Sequence, residues 1–186
     1  MYIYDFDGTI YDGDATIDFY FYCLKENKKL IKYVLIAFIN ILLALVRIKK
    51  EKDVLESFFK FVTEIEDIDS KITKFWKIND KKIKQFYLNK KNKNNDIVIS
   101  ASPTFILEPI CKKLKIKDLI ATNINKKTGE LTGLDCRYKE KVRRLYEKYI
   151  NITVKEVYSD SFIDKPLMDI ANTAYLVRKN KIKKLK

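Results

Sequence analysis

Between Gly13 and Gly129 this chain carries no glycine, and before Pro103 it carries no proline. Without the two usual breakers, the segment from about Ala15 to Trp76 and beyond is predicted to be nearly all helix. What flanks it is different. Tyr2 to Phe6 reads as a strand, and Asn89 to Asn95 is a polar linker. Beyond it, apolar runs at Asp96–Ile99, Asp118–Thr122, Thr153–Tyr158 and Ala174–Val177 read as strands. Helices are predicted over Pro103–Lys115, with Ser102 as a plausible N-cap, over Tyr138–Tyr149 and over Asp164–Asn172. Lys126 to Glu130 reads as a hairpin turn. Strands alternating with helices predict an α/β fold around a parallel sheet with right-handed crossovers. The helical block then becomes an insertion, residues 15–94, in a core built from 1–14 and 95–186. In such sheets ligands sit at the carboxyl ends of the strands, where Asp5, Ser100 and Asp160 fall.

At 186 residues the chain can bury one good core with a small insertion. The absence of histidine excludes histidine triads and imidazole bases. Proton transfer must fall to carboxylates, lysine, tyrosine or water. Cys23, Cys111 and Cys136 are odd in number and widely spaced, as expected of buried thiols in a reducing compartment. No basic leader or cleavage site precedes the first strand, so a cytoplasmic location, or one on the cytosolic membrane face, is expected. The net charge of +13, with a basic tail at Lys179–Lys186, suits anionic partners or simply reflects a lysine-rich composition.

The first strand delivers Asp5 and Asp7 onto the Gly8-Thr9 turn. Two residues apart on an extended strand, their carboxylates share a face. Like charges that close need a cation or a shared proton, and a carboxylate is a competent nucleophile toward phosphorus. An isolated Asp-x-Asp is a weak signal, since acids cluster where strands meet loops. Further on, Ser100-Ala101-Ser102 places hydroxyls before a helix start, an oxyanion site or merely a cap. Lys139 and Lys141 lie among the cations of 137–144, most of them solvated. Asp160 and Asp164 follow the strand ending near Tyr158. One could complete a magnesium site and the other orient a lysine or a metal-bound water, unless Asp164 is an ordinary helix N-terminal acid.

In this order, Asp5-Phe6-Asp7-Gly8-Thr9, the strand with Ser100, the lysine, and Asp160-x-x-x-Asp164 resemble the haloacid dehalogenase superfamily over nearly the whole chain. Leu107-Glu108-Pro109-Ile110, Gly129-Glu130-Leu131-Thr132-Gly133 and Glu140-Lys141-Val142 are similar to its phosphoserine-phosphatase-like branch, subfamily IB. The resemblance implies a Rossmann-like, doubly wound sheet with an inserted all-helical cap. It implies a magnesium-dependent phosphatase in which Asp5 forms an aspartyl-phosphate and Asp7 acts as acid, then base. Mg2+ would rest on Asp5, the carbonyl of Asp7 and Asp160. Thr9, Ser100 and Lys141 would hold the phosphoryl oxygens, with Lys139 the alternative lysine and Gly8 and Asp164 in support. Two departures stand out. Ser159 replaces a usual glycine, and Ser-Ala-Ser replaces Ser-Gly-Gly, which argues against free phosphoserine as substrate. A phosphotransferase of the same fold, or a basic protein binding nucleic acid or membrane without catalysis, are the rival readings, nucleic acid being the less favoured partner.

Residues 30–48 are apolar on nearly every helical face, interrupted by Lys32, Asn40 and Arg47. Such a helix is deeply buried or faces lipid. If Asp5 and Asp160, which flank the segment, form one catalytic site, a single crossing is excluded, and the expected arrangements are helices packed within a soluble cap or dimer, ahead of membrane contact. An interfacial or re-entrant arrangement would allow peripheral membrane contact and a lipid phosphate, such as phosphatidylglycerophosphate, in place of a small phosphorylated metabolite. Oligomeric state is left open.

Overall fold

The computed structural model describes all of residues 1–186. Its centre is a strand of three residues, β1 (Tyr2–Tyr4). Ile3 points to one side of the sheet, into a cluster with Ile97, Ile99 and Val157. Tyr4 points to the other, into a larger cluster with Val98, Phe6 and Trp76. This alternation makes β1 a strand buried on both faces.

Helices α1 (Ala15–Glu26), α2 (Ile31–Leu45), α3 (Glu51–Phe59), α4 (Ile68–Asn79) and the short α5 (Gln85–Leu88) follow. They do not form a continuous run: 3-10 turns separate α1 from α2, α3 from α4 and α4 from α5, and an irregular turn at residues 46–50 separates α2 from α3. The chain then alternates through β2 (Asp96–Pro103), α6 (Thr104–Lys113), β3 (Asp118–Thr122), α7 (Lys139–Lys148), β4 (Glu156–Ser159), α8 (Lys165–Asp169), β5 (Thr173–Arg178) and β6 (Lys181–Lys184). The sheet order is β3-β2-β1-β4-β5-β6, with β1 to β5 parallel and β6 antiparallel. This is an α/β, doubly wound, Rossmann-like architecture. The chain leaves β1 toward β2 and later returns to β4 on its other side. The crevice at this switch point opens beyond the carboxyl ends of β1 and β4.

Tyr4, Tyr158 and Tyr175 are partners in adjacent strands, and their rings stack at 4.7 and 4.6 Å. This ladder ties β1, β4 and β5 together on the face that meets the inserted helices. Within the insertion, α1 and α4 pack on α6, whereas α2 packs mainly on α3. The indole of Trp76 donates to the carbonyl of Ile106 at 2.7 Å, fixing α4 to α6.

Two elements differ from expectation. β2 runs on through Ser102 to Pro103, so α6 begins at Thr104 and Ser102 is not its N-cap. A register shift between Ser100 and Pro103 carries the strand past the expected stop. The basic tail contains an edge strand, β6, beyond the last strand predicted. Its four residues, three lysines and one isoleucine, are all exposed, a charged edge that discourages further pairing. Of the two arrangements left open for the apolar residues 30–48, deep burial is not what the structure shows. Only Leu30, Tyr33, Ala37 and Asn40 are buried, and no helix is long and apolar enough to cross a membrane.

Candidate active site

Beyond β1 the chain makes a tight excursion. Gly8, at φ +66°, turns it away, and its N–H donates to the carbonyl of Gly13 at 2.9 Å. Asp14 then caps α1 by accepting from Ile17 N–H. The excursion brings the first N–H of α1, at Ala15, to Asp7 Oδ1 at 2.6 Å. Phe6, between the two acids, is fully buried against Tyr11 and Trp76 and anchors the turn.

Asp5 is almost buried, and its N–H is held by the carbonyl of Tyr158. Lys141, at the start of α7, reaches between the two sides of the crevice. Its Nζ lies 2.9 Å from Asp5 Oδ1 and 2.8 Å from both oxygens of Asp164. Burial alone would push Lys141 down, but Asp5 and Asp164 outweigh it and leave it above its ordinary value. Burial raises Asp5 despite Lys141, with Asp164 and Asp160 adding to the effect. Ser159 Oγ donates to Asp164 Oδ2 at 2.8 Å, so the residue that replaces glycine helps to aim the acid that aims the lysine. Lys139 is exposed.

Asp7 has a separate set of partners. Ser102 Oγ donates to Oδ2 at 2.6 Å, Ser100 Oγ stands 3.4 Å from the same oxygen, and Thr16 and Ser102 share a hydrogen bond at 2.8 Å. Burial, then Asp14 and Asp5, push Asp7 up to about 7 against the donors that favour its charge. An acid with a pKa there can both give and take a proton near neutrality.

These groups line a cavity of about 680 Å3. Asp5, Asp7, Ser102, Lys141, Asp160 and Asp164 all reach its surface, with Leu55, Phe58 and Phe59 of α3 forming an apolar wall. Thr9 and Ser100 do not reach it. Both are fully buried, Thr9 under the turn and Ser100 behind Ser102, whose N–H it accepts at 3.0 Å. Of the two serines on β2 it is Ser102, not Ser100, that reaches the cavity, beside Thr16, Tyr138 and Ser161.

The lining carries five carboxylates, those of Asp5, Asp7, Asp14, Asp160 and Asp164, against the two cations Arg137 and Lys141. Lys141 is engaged by Asp5 and Asp164, and Arg137 by Asp135. Asp7, Asp14 and Asp160 therefore have no cationic partner. A Cβ at Gly8 would stand 2.2 Å from Asp160 Oδ2, so glycine is what lets this carboxylate lie against the turn. Burial, then Asp164, raise Asp160. No three acids enclose an ion by themselves. The arrangement instead suits a hard cation resting on two carboxylates and backbone oxygen.

Lys84 had no signal in the sequence. Its side chain is buried just past the insertion's last long helix and donates to the carbonyls of Gly8 and, at 2.9 Å, Lys179. It pins the turn to the β5–β6 hairpin. Nothing distinguishes it, as a letter, among 38 lysines and arginines.

Residues 2–169 match the haloacid dehalogenase-like hydrolase family. The chain belongs to this family. Among solved structures, a protein of unknown function from Bordetella pertussis Tohama I is similar at 15% identity and TM-score 0.67, over 94% of this chain and 87% of that one. A phosphoserine phosphohydrolase-like protein from Francisella tularensis subsp. tularensis SCHU S4 is similar at 17% identity and TM-score 0.56, over 93% and 84%. A phosphoserine phosphatase structure described as a phospho-aspartyl intermediate analogue follows at 16% and 0.57, over 93% and 83%. At such identities the likeness is one of fold. No curated protein matches. The chain is thus a haloacid dehalogenase-like hydrolase, as its motifs predicted, and its fold is similar to that of phosphoserine-phosphatase structures.

Proposed function

We propose that the protein is a magnesium-dependent phosphomonoester phosphatase working through an aspartyl-phosphate on Asp5. The observation that carries this reading is the convergence of Asp5, Asp7 and Lys141 on one cavity, with Asp7 raised to about 7. Asp5, whose charge Lys141 favours against burial, attacks phosphorus as the carboxylate. Asp7 protonates the departing alkoxide and, once ionised, takes a proton from the water that opens the acyl phosphate. Lys141 and Ser102 face the phosphoryl oxygens, and Ser100 and Thr9 support them from beneath. Asp5 and Asp160, with the carbonyl of Asp7, would hold Mg2+, which supplies positive charge to a phosphoryl group surrounded by carboxylates.

Residues 15–94 serve as the cap over a core of 1–14 and 95–186. The apolar wall from α3 fits a substrate whose leaving group has an apolar part, a phosphorylated small molecule or a lipid phosphate. Three buried free thiols suit a cytosolic setting. The test is hydrolysis of a generic phosphomonoester with Mg2+ by the native chain and by Asp5→Asn. Loss of turnover in the variant is expected, and equal rates would remove Asp5 as nucleophile.

A further inference from the structure

α2 is an unusual surface helix. Tyr33, Ala37 and Asn40 form a narrow buried stripe against the rest of the chain. Leu35, Ile36, Phe38, Ile39, Ile41 and Leu42 point elsewhere and are 42–59% exposed. At 100° per residue they span roughly 220° of the helix circumference. Lys32 is the one charged residue in the helix, and Glu64 takes its ammonium.

The breadth of this apolar arc selects the occupant. A second helix or a second copy of the chain covers a seam, as in a coiled coil, and would leave most of the arc in water. A fluid apolar medium surrounds a convex helix on every side but the one that is packed. The charges agree. From Asn27 to Lys50 there is no acidic residue. Lys28 and Lys29 precede the helix, and Arg47, Lys49 and Lys50 follow it, all exposed and free of carboxylate partners. Cations at both ends of an apolar helix suit anionic headgroups on either side of a buried segment. At 15 residues α2 is about 22 Å long, short of the roughly 30 Å hydrocarbon core. It can lie in the interface but not cross it.

We propose that α2 is an interfacial helix that docks the protein on anionic membrane, apolar face in the acyl region and flanking cations among the headgroups. α2 packs on α3, and α3 supplies Leu55, Phe58 and Phe59 to the cavity wall. The membrane-docking hairpin is therefore also the hairpin that lines the site. The docking itself is independent of the chemistry proposed there.

The test is flotation of the full chain, without substrate or metal, with vesicles of phosphatidylcholine alone or of phosphatidylcholine and phosphatidylglycerol in equal parts. The native chain should float with the anionic vesicles and less so as salt rises. Leu35→Glu combined with Leu42→Glu should abolish flotation. Both leucines are exposed, so melting temperature and turnover of a soluble phosphomonoester should be unchanged. Reversing Lys49 and Lys50 should weaken partition by at least about fivefold for each lysine lost. Three outcomes would overturn the proposal. These are a native chain unbound to both vesicles, a double variant that floats as well as native, and a dimer in sedimentation that the double substitution splits, assigning the face to a second copy.

Discussion

The Lys141 ammonium stands 2.9 Å from Asp5 Oδ1 and 2.8 Å from Asp164, with almost no exposure to water. One cation thus balances two buried anions contributed by β1 and by the loop after β4. Removing it would strand both charges. Lys141→Met is expected to cost about 3–5 kcal/mol of stability, the usual penalty for breaking a buried ion pair. Turnover should fall about 10²–10³-fold, as when one preorganised donor is lost from a charged transition state. Thermal melting and steady-state kinetics measure the two effects. Lys139→Met, at an exposed position, should change stability by less than about 0.5 kcal/mol. A larger effect at Lys139 than at Lys141 would reverse the assignment.

The Asp160 carboxylate occupies the space that a side chain on Gly8 would need. Gly8→Ala would place a methyl 2.2 Å from Asp160 Oδ2 at a backbone φ of +66°. The left-handed conformation alone costs about 1–2 kcal/mol. More tellingly, Asp160 must move. The expected outcome is a modest fall in melting temperature and a large rise in the magnesium concentration needed for half-maximal turnover. Unchanged magnesium dependence would argue that Asp160 holds no cation.

Lys84 acts at a distance. Lys84→Met keeps most of the side-chain volume but leaves the carbonyls of Gly8 and Lys179 without their donor. A buried acceptor left unpaired costs about 1–3 kcal/mol. Because the freed carbonyl belongs to the turn beneath Asp160, magnesium affinity should weaken as well as stability. Calorimetric titration of Mg2+ into native and variant protein checks this. A loss of stability with unchanged affinity would reduce Lys84 to a structural role.

Much of this site is legible as a string, because each acid or base follows a strand whose apolar run marks it. Asp5, Asp7, Asp160 and Asp164 can be singled out that way, whereas Lys141 is preferred over Lys139 only through the family resemblance. Ser102 is not legible. It stands before a proline, where a helix cap is the natural reading, and only the continued strand and its register shift turn it toward Asp7. Lys84 is invisible because its role depends on three segments far apart in sequence. The direction of α2 is equally hidden. A helix apolar on every face carries no phase, so its pattern cannot say which stripe is covered.

The pKa of Asp7 makes a prediction that separates activity from stability. Its carboxyl titrates near 3.8 in the unfolded chain and at about 7 in the fold, chiefly through burial. The fold therefore favours the protonated acid. The stability this contributes is complete below about pH 4 and lost as pH rises through 7. Asp5 and Asp160 are shifted in the same direction and steepen the loss. Without added magnesium, the native chain should melt at falling temperatures as pH rises from weakly acidic to weakly alkaline. Asp7→Asn mimics the protonated form. Its amide can accept from Ala15 N–H and donate to Ser102, whose hydroxyl can turn to donate to Thr16 instead. The variant should show a shallower dependence on pH and a higher melting temperature above pH 7. For a domain of this size each kcal/mol recovered is worth about 2–4 °C. Turnover should fall about 10²–10⁴-fold, because the amide can neither give nor take the proton. A variant that loses turnover but melts no higher than native above pH 7 would show that Asp7 is not held protonated by its surroundings.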